Sequence, residues 1–290
     1  MNKSDKRISV FPFNSHPNQT GFEIRKLSQF LAVENQQSLE KPHRINFYSI
    51  LFISKGSGQH FINFQPLDYQ PGSILFIGKN QVHAFKFNQE ADGYLLLFDE
   101  EFLNRNQIKF NDLAYSYPFN FDLYDTVIHI GSMKETFLSL LEYIYQEYQS
   151  INKHTDEILQ CLLRTVLLKI RAIGHELNLI DSRVPSYSIK VFTQFQILFE
   201  KHFTDTRNAN FYCTQLKISY KRLNDISKIL TGKTLKKYID DNLIIKAKQH
   251  LSFPDHNISE VSNILGFDET TNFTKYFRKH TGLSPSEFSA

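Results

Sequence analysis

Only two cysteines occur in this 290-residue chain, Cys161 and Cys213, far apart and neither within a CxxC pair. That argues against a structural zinc site and a disulfide framework, and fits a reduced, cytoplasmic compartment. There is no run of eighteen apolar residues and no charged-then-apolar leader after Met1, so neither a membrane span nor export is expected. GxSxG, a phosphate-cradling glycine loop, HExxH and a cysteine with a histidine at motif spacing are all missing too. Their absence removes the common hydrolase, nucleotide and zinc-protease chemistries. The acidic cluster Asp99-Glu100-Glu101, in an FDEEFL context, reads as a helix N-terminal cap rather than acid/base machinery. No catalytic residue, metal or cofactor is therefore expected.

What is present is ordinary globular composition, 41% hydrophobic and 22% charged, in a chain long enough for two cores. The net charge of +3 is unevenly divided. Residues 186–290 carry 15 Lys/Arg against 10 Asp/Glu, a net of +5, while residues 1–185 carry 18 against 20, a net of −2. The C-terminal third is the part a polyanion would find.

Three periodicities divide the chain. From Phe47 to Phe98 short runs such as FYSILFIS, HFINF, SILFI, HAFKF and YLLLF alternate with GSG (56–58), Pro71-Gly72 and GKN (78–80), the pattern of an antiparallel sandwich or barrel. From about Met133 the period becomes helical. Phe137, Leu140, Leu141, Ile144 and Tyr148 make one stripe, and Leu159, Leu162, Leu163, Val166, Ile170 and Ile173 another, on either side of the polar break at 150–154. These two antiparallel helices must bury their apolar faces against the barrel or against a second copy of the chain. Arg183-Val-Pro-Ser reads as a linker, since the helical pattern fails at LIDSR and Pro185 disfavours helix before it. Beyond it the pattern is all helical, with Ile189, Phe192, Phe195, Phe199 and Phe203 on one helix, and a longer one from Leu235 to Leu251 stopped by Pro254.

That last third repeats itself. Sliding it by fifty residues places Leu223 on Phe273, Ile226 on Tyr276, Lys228 on Arg278 and Thr231-Gly232 on Thr281-Gly282. Each copy begins with a short helix, FYCTQL (211–216) or ISEVSNIL (258–265), then a tight turn at 217–219 or 266–268, then a second helix with basic residues outside. Gly266 suits a left-handed turn, and Gly232 and Gly282 suit helix C-caps. Helix, turn, helix is the unit whose second helix enters the DNA major groove. The connector from about Thr234 to Leu251 would span roughly 27 Å, near the ~34 Å between successive major-groove faces.

These residues resemble a family. Phe211 to Phe288 is similar to the DNA-binding domain of the AraC/XylS transcription regulators, above all in NISEVSNILGFDETTNFTKYFRKHTGLSPSEF. The agreement lies in the Ile/Val positions before the turn, Gly266-Phe267, Phe273, Phe277, Arg278-Lys279, Thr281-Gly282, Ser284-Pro285 and Phe288. The resemblance implies groove-facing positions at Lys221, Arg222, Asn224 and Asp225 in the first recognition helix and at Thr270, Thr271, Asn272 and Lys275 in the second. Lys228, Arg278 and Lys279 are then placed for phosphates. Asp225 stands where a basic residue is common in the family, and Ser227 where an aromatic is common.

Membership also implies an N-terminal sensing barrel of cupin type. Aligned on Gly56 and Gly72-Ser73, the cupin metal-ligand positions fall on His43, Ile45, Ser49 and His83. Two imidazoles alone hold a transition ion poorly, so the barrel reads as a small-molecule cavity. His43, Arg44, Tyr48, His60 and His83 are the candidate lining residues, with His60 alternatively an exposed strand residue.

The expected fold is α+β: a cupin-like barrel (1–130), a helical hairpin with linker (131–184) expected to serve dimerisation, and an all-α domain (185–290) with two helix-turn-helix units on a connector helix. The expected partners are double-stranded DNA, a small-molecule effector, RNA polymerase and a second copy of the chain, in a bacterial cytoplasm and on the nucleoid when bound. Two rival readings stay open: a cupin-type metal-binding enzyme fused to a helical module, and a constitutive DNA-binding regulator whose barrel only dimerises.

Overall fold

The structure, a computed structural model, describes residues 9–11, 13, 21–33, 39–62, 65–79, 81–86, 90–105, 119, 126–150, 152–177, 185–252 and 256–289. Two compact units result, Ser9–Asp181 and Ser182–Ala290. Residues 183 and 184 of the expected linker and Pro254 lie outside the described residues, as does nearly all of the chain before Gly21.

The first unit is built from two five-stranded sheets. One runs β1 (Ser9–Phe11), β3 (His43–Ile45), β8 (Val82–Lys86), β5 (Gly58–Ile62), β6 (Gln65–Tyr69); the other runs β10 (Val127–His129), β7 (Ser73–Ile77), β4 (Tyr48–Lys55), β9 (Asp92–Phe98), β2 (Phe22–Lys26). Pairing is antiparallel except between β1 and β3. The second sheet is buried on both faces, which is why SILFI and YLLLF are apolar throughout instead of alternating. Leu51, Ile53, Leu75, Ile77, Leu95 and Leu97 point inward to a core shared with Ile45, Phe47, Ile62 and Phe85. Their neighbours Ile50, Phe52, Ile74, Phe76, Tyr94, Leu96 and Phe98 point the other way.

That outward face is covered by the helical hairpin. Helices α3 (Lys134–Gln149) and α4 (Thr155–Glu176) bring Phe137, Leu141, Ile144, Leu159, Leu163, Val166 and Ile170 onto it. Of the two burial partners left open by the periodicity, the barrel takes the main apolar stripe, and Tyr143 and Leu168 remain exposed. Two short helices complete the unit, α1 (Leu27–Val33) and α2 (Glu100–Arg105). The acidic cluster caps α2: Asp99 Oδ1 accepts from the Phe102 amide at 2.8 Å.

The second unit is helical: α5 (Ser186–His202), α6 (Ala209–Leu216), α7 (Tyr220–Thr231), α8 (Leu235–Leu251), α9 (Ile258–Ile264), α10 (Thr270–Thr281) and α11 (Pro285–Ser289). Phe192, Phe195 and Phe199 of α5 pack on Tyr212 and Tyr238. Phe267, Phe273 and Phe277 form a second core against Leu243, Ala247 and Leu251. The connector α8 is thus the spine both helix-turn-helix units lean on.

Candidate nucleic-acid interface and barrel cavity

The fifty-residue repeat has a hydrogen-bond basis. The Thr231 hydroxyl donates to the Ser227 carbonyl at 2.8 Å and accepts from the Lys233 amide at 3.2 Å. The Thr281 hydroxyl does the same with the Phe277 carbonyl and the Leu283 amide, at 2.8 and 3.2 Å. Gly232 and Gly282 follow in the left-handed region, with φ of 69° and 79°, and their amides close each helix onto Lys228 and Arg278. Two residues on, the hydroxyls of Thr234 and Ser284 accept from the Lys237 and Glu287 amides and start the next helix. Each Thr-Gly therefore stops one helix and sets the start of another.

The recognition helices end up unequal. On α7, Lys221, Arg222 and Lys228 are exposed, while Asn224 and Asp225 are half-buried. Asn224 Oδ1 accepts from the Leu235 amide at 3.0 Å, holding the first turn of α8. Ser227 is fully buried and donates to the Lys233 carbonyl at 2.9 Å. On α10, Thr271, Asn272, Lys275, Arg278 and Lys279 are exposed and Thr270 is half-buried. Thr271 hydrogen-bonds the Glu269 carboxylate at 3.0 Å, and Thr270 reaches Ser259 at 3.4 Å. Sequence reasoning missed the structural duties of Asn224 and Ser227; the hydroxyl pairs Thr231/Thr234 and Thr281/Ser284, at the same offset as the glycines, were the readable signal.

Contacts beyond the apolar core also hold the second helix-turn-helix unit, some of them outside α8. Gly266, at φ 68°, lies so close to the Thr204 carbonyl that a Cβ there would overlap it. The Arg207 guanidinium donates to the Gly266 carbonyl at 3.2 Å and sits 3.9 Å over the Phe267 ring. The Tyr276 hydroxyl donates to Asp240 Oδ1 at 2.8 Å. Burial, and then this bond, raise the Tyr276 pKa and keep the phenol neutral. These links leave α10 little freedom to rotate against α8.

In the barrel, His43 and His83 face each other across β3 and β8 with ring centroids 4.1 Å apart, and His60 on β5 stacks on His83 at 5.3 Å and meets Phe85 edge-on at 4.1 Å. All three rings are buried. His60, the residue with two open readings, is fully enclosed. His43 Nδ1 donates to the Lys41 carbonyl at 2.9 Å. Neither ring nitrogen of His60 or His83 has a hydrogen-bond partner among the described residues. Burial lowers all three pKa values. For His60 burial and then the charge of His43 push it down to about 3, and His83 falls well below the ordinary value for the same reasons. The triad is neutral at pH 7.

His43 and His83 line a cavity of about 80 Å³ together with Phe30, Leu39, Ile45, Phe47, Ser49, Phe85, Leu95 and Leu97. Arg44, Tyr48 and His60 are not among the lining residues. Arg44 alternates to the far side of β3 from His43 and Ile45, and burial lowers its pKa to about 10. Tyr48 stacks on Phe98 and meets Phe119 edge-on, on the outward face of the second sheet. No group of three or more His, Cys, Asp or Glu among the described residues is arranged to hold a metal ion.

Comparison with known proteins follows the same division. Residues 30–167 match the model of the AraC-like ligand binding domain, and residues 212–290 match a helix-turn-helix domain. The chain is 23% identical over 263 residues to the HTH-type transcriptional activator RhaS of Klebsiella pneumoniae, covering 87% of this chain and 88% of that protein. To RhaS of Escherichia coli it is 21% identical over 253 residues, 84% and 86% of the two chains. Among solved structures, ToxT from Vibrio cholerae aligns over 93% of this chain and 98% of its own, at 14% identity and a TM-score of 0.46. No described helix is long and apolar enough to cross a membrane.

Proposed function

The chain belongs to the AraC/XylS family of transcription regulators, and from that premise we propose how its two units divide the work. It is a DNA-binding regulator with an N-terminal ligand-binding domain. In our reading the second recognition helix carries most of the sequence readout, through Asn272 and Lys275, with Arg278 and Lys279 on phosphates. Lys221, Arg222 and Lys228 serve the first helix mainly as phosphate contacts. The observation that carries this is the contrast in burial and hydrogen bonding. Asn224 and Ser227 are committed to the helix junction, whereas Lys275, Arg278 and Lys279 are exposed.

The same reading has a small molecule in the barrel cavity acting as effector, in a homodimer whose two DNA-binding units it repositions. Such an effector acts only by binding one state more tightly than the other. RNA polymerase is the natural partner at a promoter, and the cytoplasm, on the nucleoid, the natural place. The relatives being transcription regulators favours this over the enzyme alternative.

The test is genome-wide mapping of sites bound by the full chain, followed by binding to the recovered duplexes at several salt concentrations. Affinity should fall steeply with salt through counterion release. Lys275→Ala should weaken binding by about 1–3 kcal/mol and flatten base preference in one half of the site. Full affinity with unchanged preference in that variant would remove α10 from its assigned role.

A further inference from the structure

Two buried imidazoles with no hydrogen-bond partner are unusual, because buried polar groups are nearly always satisfied. His83 is 4% exposed and lines the cavity; His60 is 0% exposed and sits behind it, ring on ring. Among the described residues the remaining wall is apolar apart from Ser49 and His43, and none of them is a Lys, Arg, Asp or Glu. The one guanidinium on the same strand, Arg44, is absent from the lining. Nothing among the described residues satisfies His83, so a ligand in the cavity is the partner we assign to it.

We propose that the barrel selects an uncharged, predominantly apolar small molecule carrying a single hydroxyl, which hydrogen-bonds the His83 imidazole. The proposal rests on the effector reading above and narrows it to a ligand class. A neutral imidazole offers one N–H donor and one bare acceptor nitrogen. A hydroxyl, itself donor and acceptor, complements either tautomer. A carboxylate only accepts, and it would enter an apolar cavity with no cation to pair with. A sugar brings several hydroxyls, most of which would face Phe30, Leu39, Ile45, Phe47, Leu95 and Leu97 unpaired. The cavity also limits size: about 80 Å³ is roughly half the ~150 Å³ apolar cavity that admits benzene.

The experiment uses the full-length protein and a series of 1-alkanols from methanol to butanol, alongside butyrate and glucose. Ligand-observed NMR reads binding, and ¹⁵N-histidine NMR reads the His83 ring. Saturable alkanol binding with a shift of the His83 nitrogens is expected, with butyrate and glucose inert. His83→Phe should cost the alkanol about fivefold or more in affinity. Leu97→Phe, which fills the cavity from the second sheet and keeps the triad, should abolish binding, so the outcome does not depend on how well the histidine variant folds. Butyrate or glucose binding better than butanol, undiminished binding in either variant, perturbation of the triad by Zn²⁺ instead, or no saturable alkanol binding would each overturn the ligand class. DNA affinity measured in the same samples separates the two ideas. An alkanol that binds but leaves DNA affinity unchanged upholds the ligand class and refutes the effector role, while a carboxylate or sugar that binds and shifts DNA affinity does the reverse.

Discussion

Acidification from pH 7 to pH 5 should destabilise the barrel unit selectively, and the histidine triad is the reason. A histidine has an unfolded pKa near 6.5, whereas burial holds folded His60 at about 3. Between those values the unfolded chain takes up a proton that the folded chain refuses. His60 therefore costs nothing above pH 6.5 and costs stability as pH falls below it. At pH 5 the penalty from His60 alone is about 2 kcal/mol, and lowered His83 and His43 add to it with the same sign. For a unit of this size 2 kcal/mol is about 4–8 °C in midpoint, measurable by calorimetry on the full chain, where the two units can melt as separate transitions. The carboxylates whose pKa values are lowered, Asp205, Asp241 and Glu287, belong to the other unit and lose their contribution at lower pH. His60→Leu should remove roughly 2 kcal/mol of the pH dependence while costing little at pH 7, because the nitrogens it deletes are unpaired. A barrel transition that stays put between pH 7 and 5, or a His60→Leu protein with undiminished pH dependence, would show that the imidazoles are hydrated or paired and refute the reasoning.

Two further outcomes can be checked by urea unfolding. Gly266→Ala should be severe, since a left-handed alanine costs about 1–2 kcal/mol and its Cβ overlaps the Thr204 carbonyl; Gly282→Ala, with open space around it, should cost only that conformational term. Asn224→Ala should lose about 1 kcal/mol from the unpaired Leu235 amide, so a variant with weaker DNA binding but unchanged stability would restore Asn224 to base readout.

The DNA-binding unit was legible in the sequence because capping is local chemistry. Glycine, threonine and serine at fixed offsets say where a helix stops and the next begins without any knowledge of the fold. The barrel was less so. Period two says that Arg44 and His43 face opposite ways, yet which of them faces the cavity depends on pairing with β8, a contact between residues some forty positions apart. Tyr48 went astray for the same reason. His60 could not be placed because an isolated polar residue on a half-apolar strand leaves either face open. The hairpin stripe announced that it would be buried, but an amphipathic pattern carries no record of its partner. The strand Phe22–Lys26 was overlooked because its alternation covers only four residues outside the apolar runs that mark the other strands, and its docking on β9 shows it.

The central strands β7, β4 and β9 of the second sheet have almost no solvent side. On β9, Leu95 and Leu97 touch the cavity while Tyr94, Leu96 and Phe98 are embedded under the hairpin, and β4 and β7 alternate in the same way. Wall and floor are one peptide ribbon. Leu97, which touches the cavity, stands between Leu96 and Phe98, which pack under the helices, so one strand is lining on one side and hairpin support on the other. In the vocabulary of instruments, this sheet is a diaphragm between a chamber and a needle.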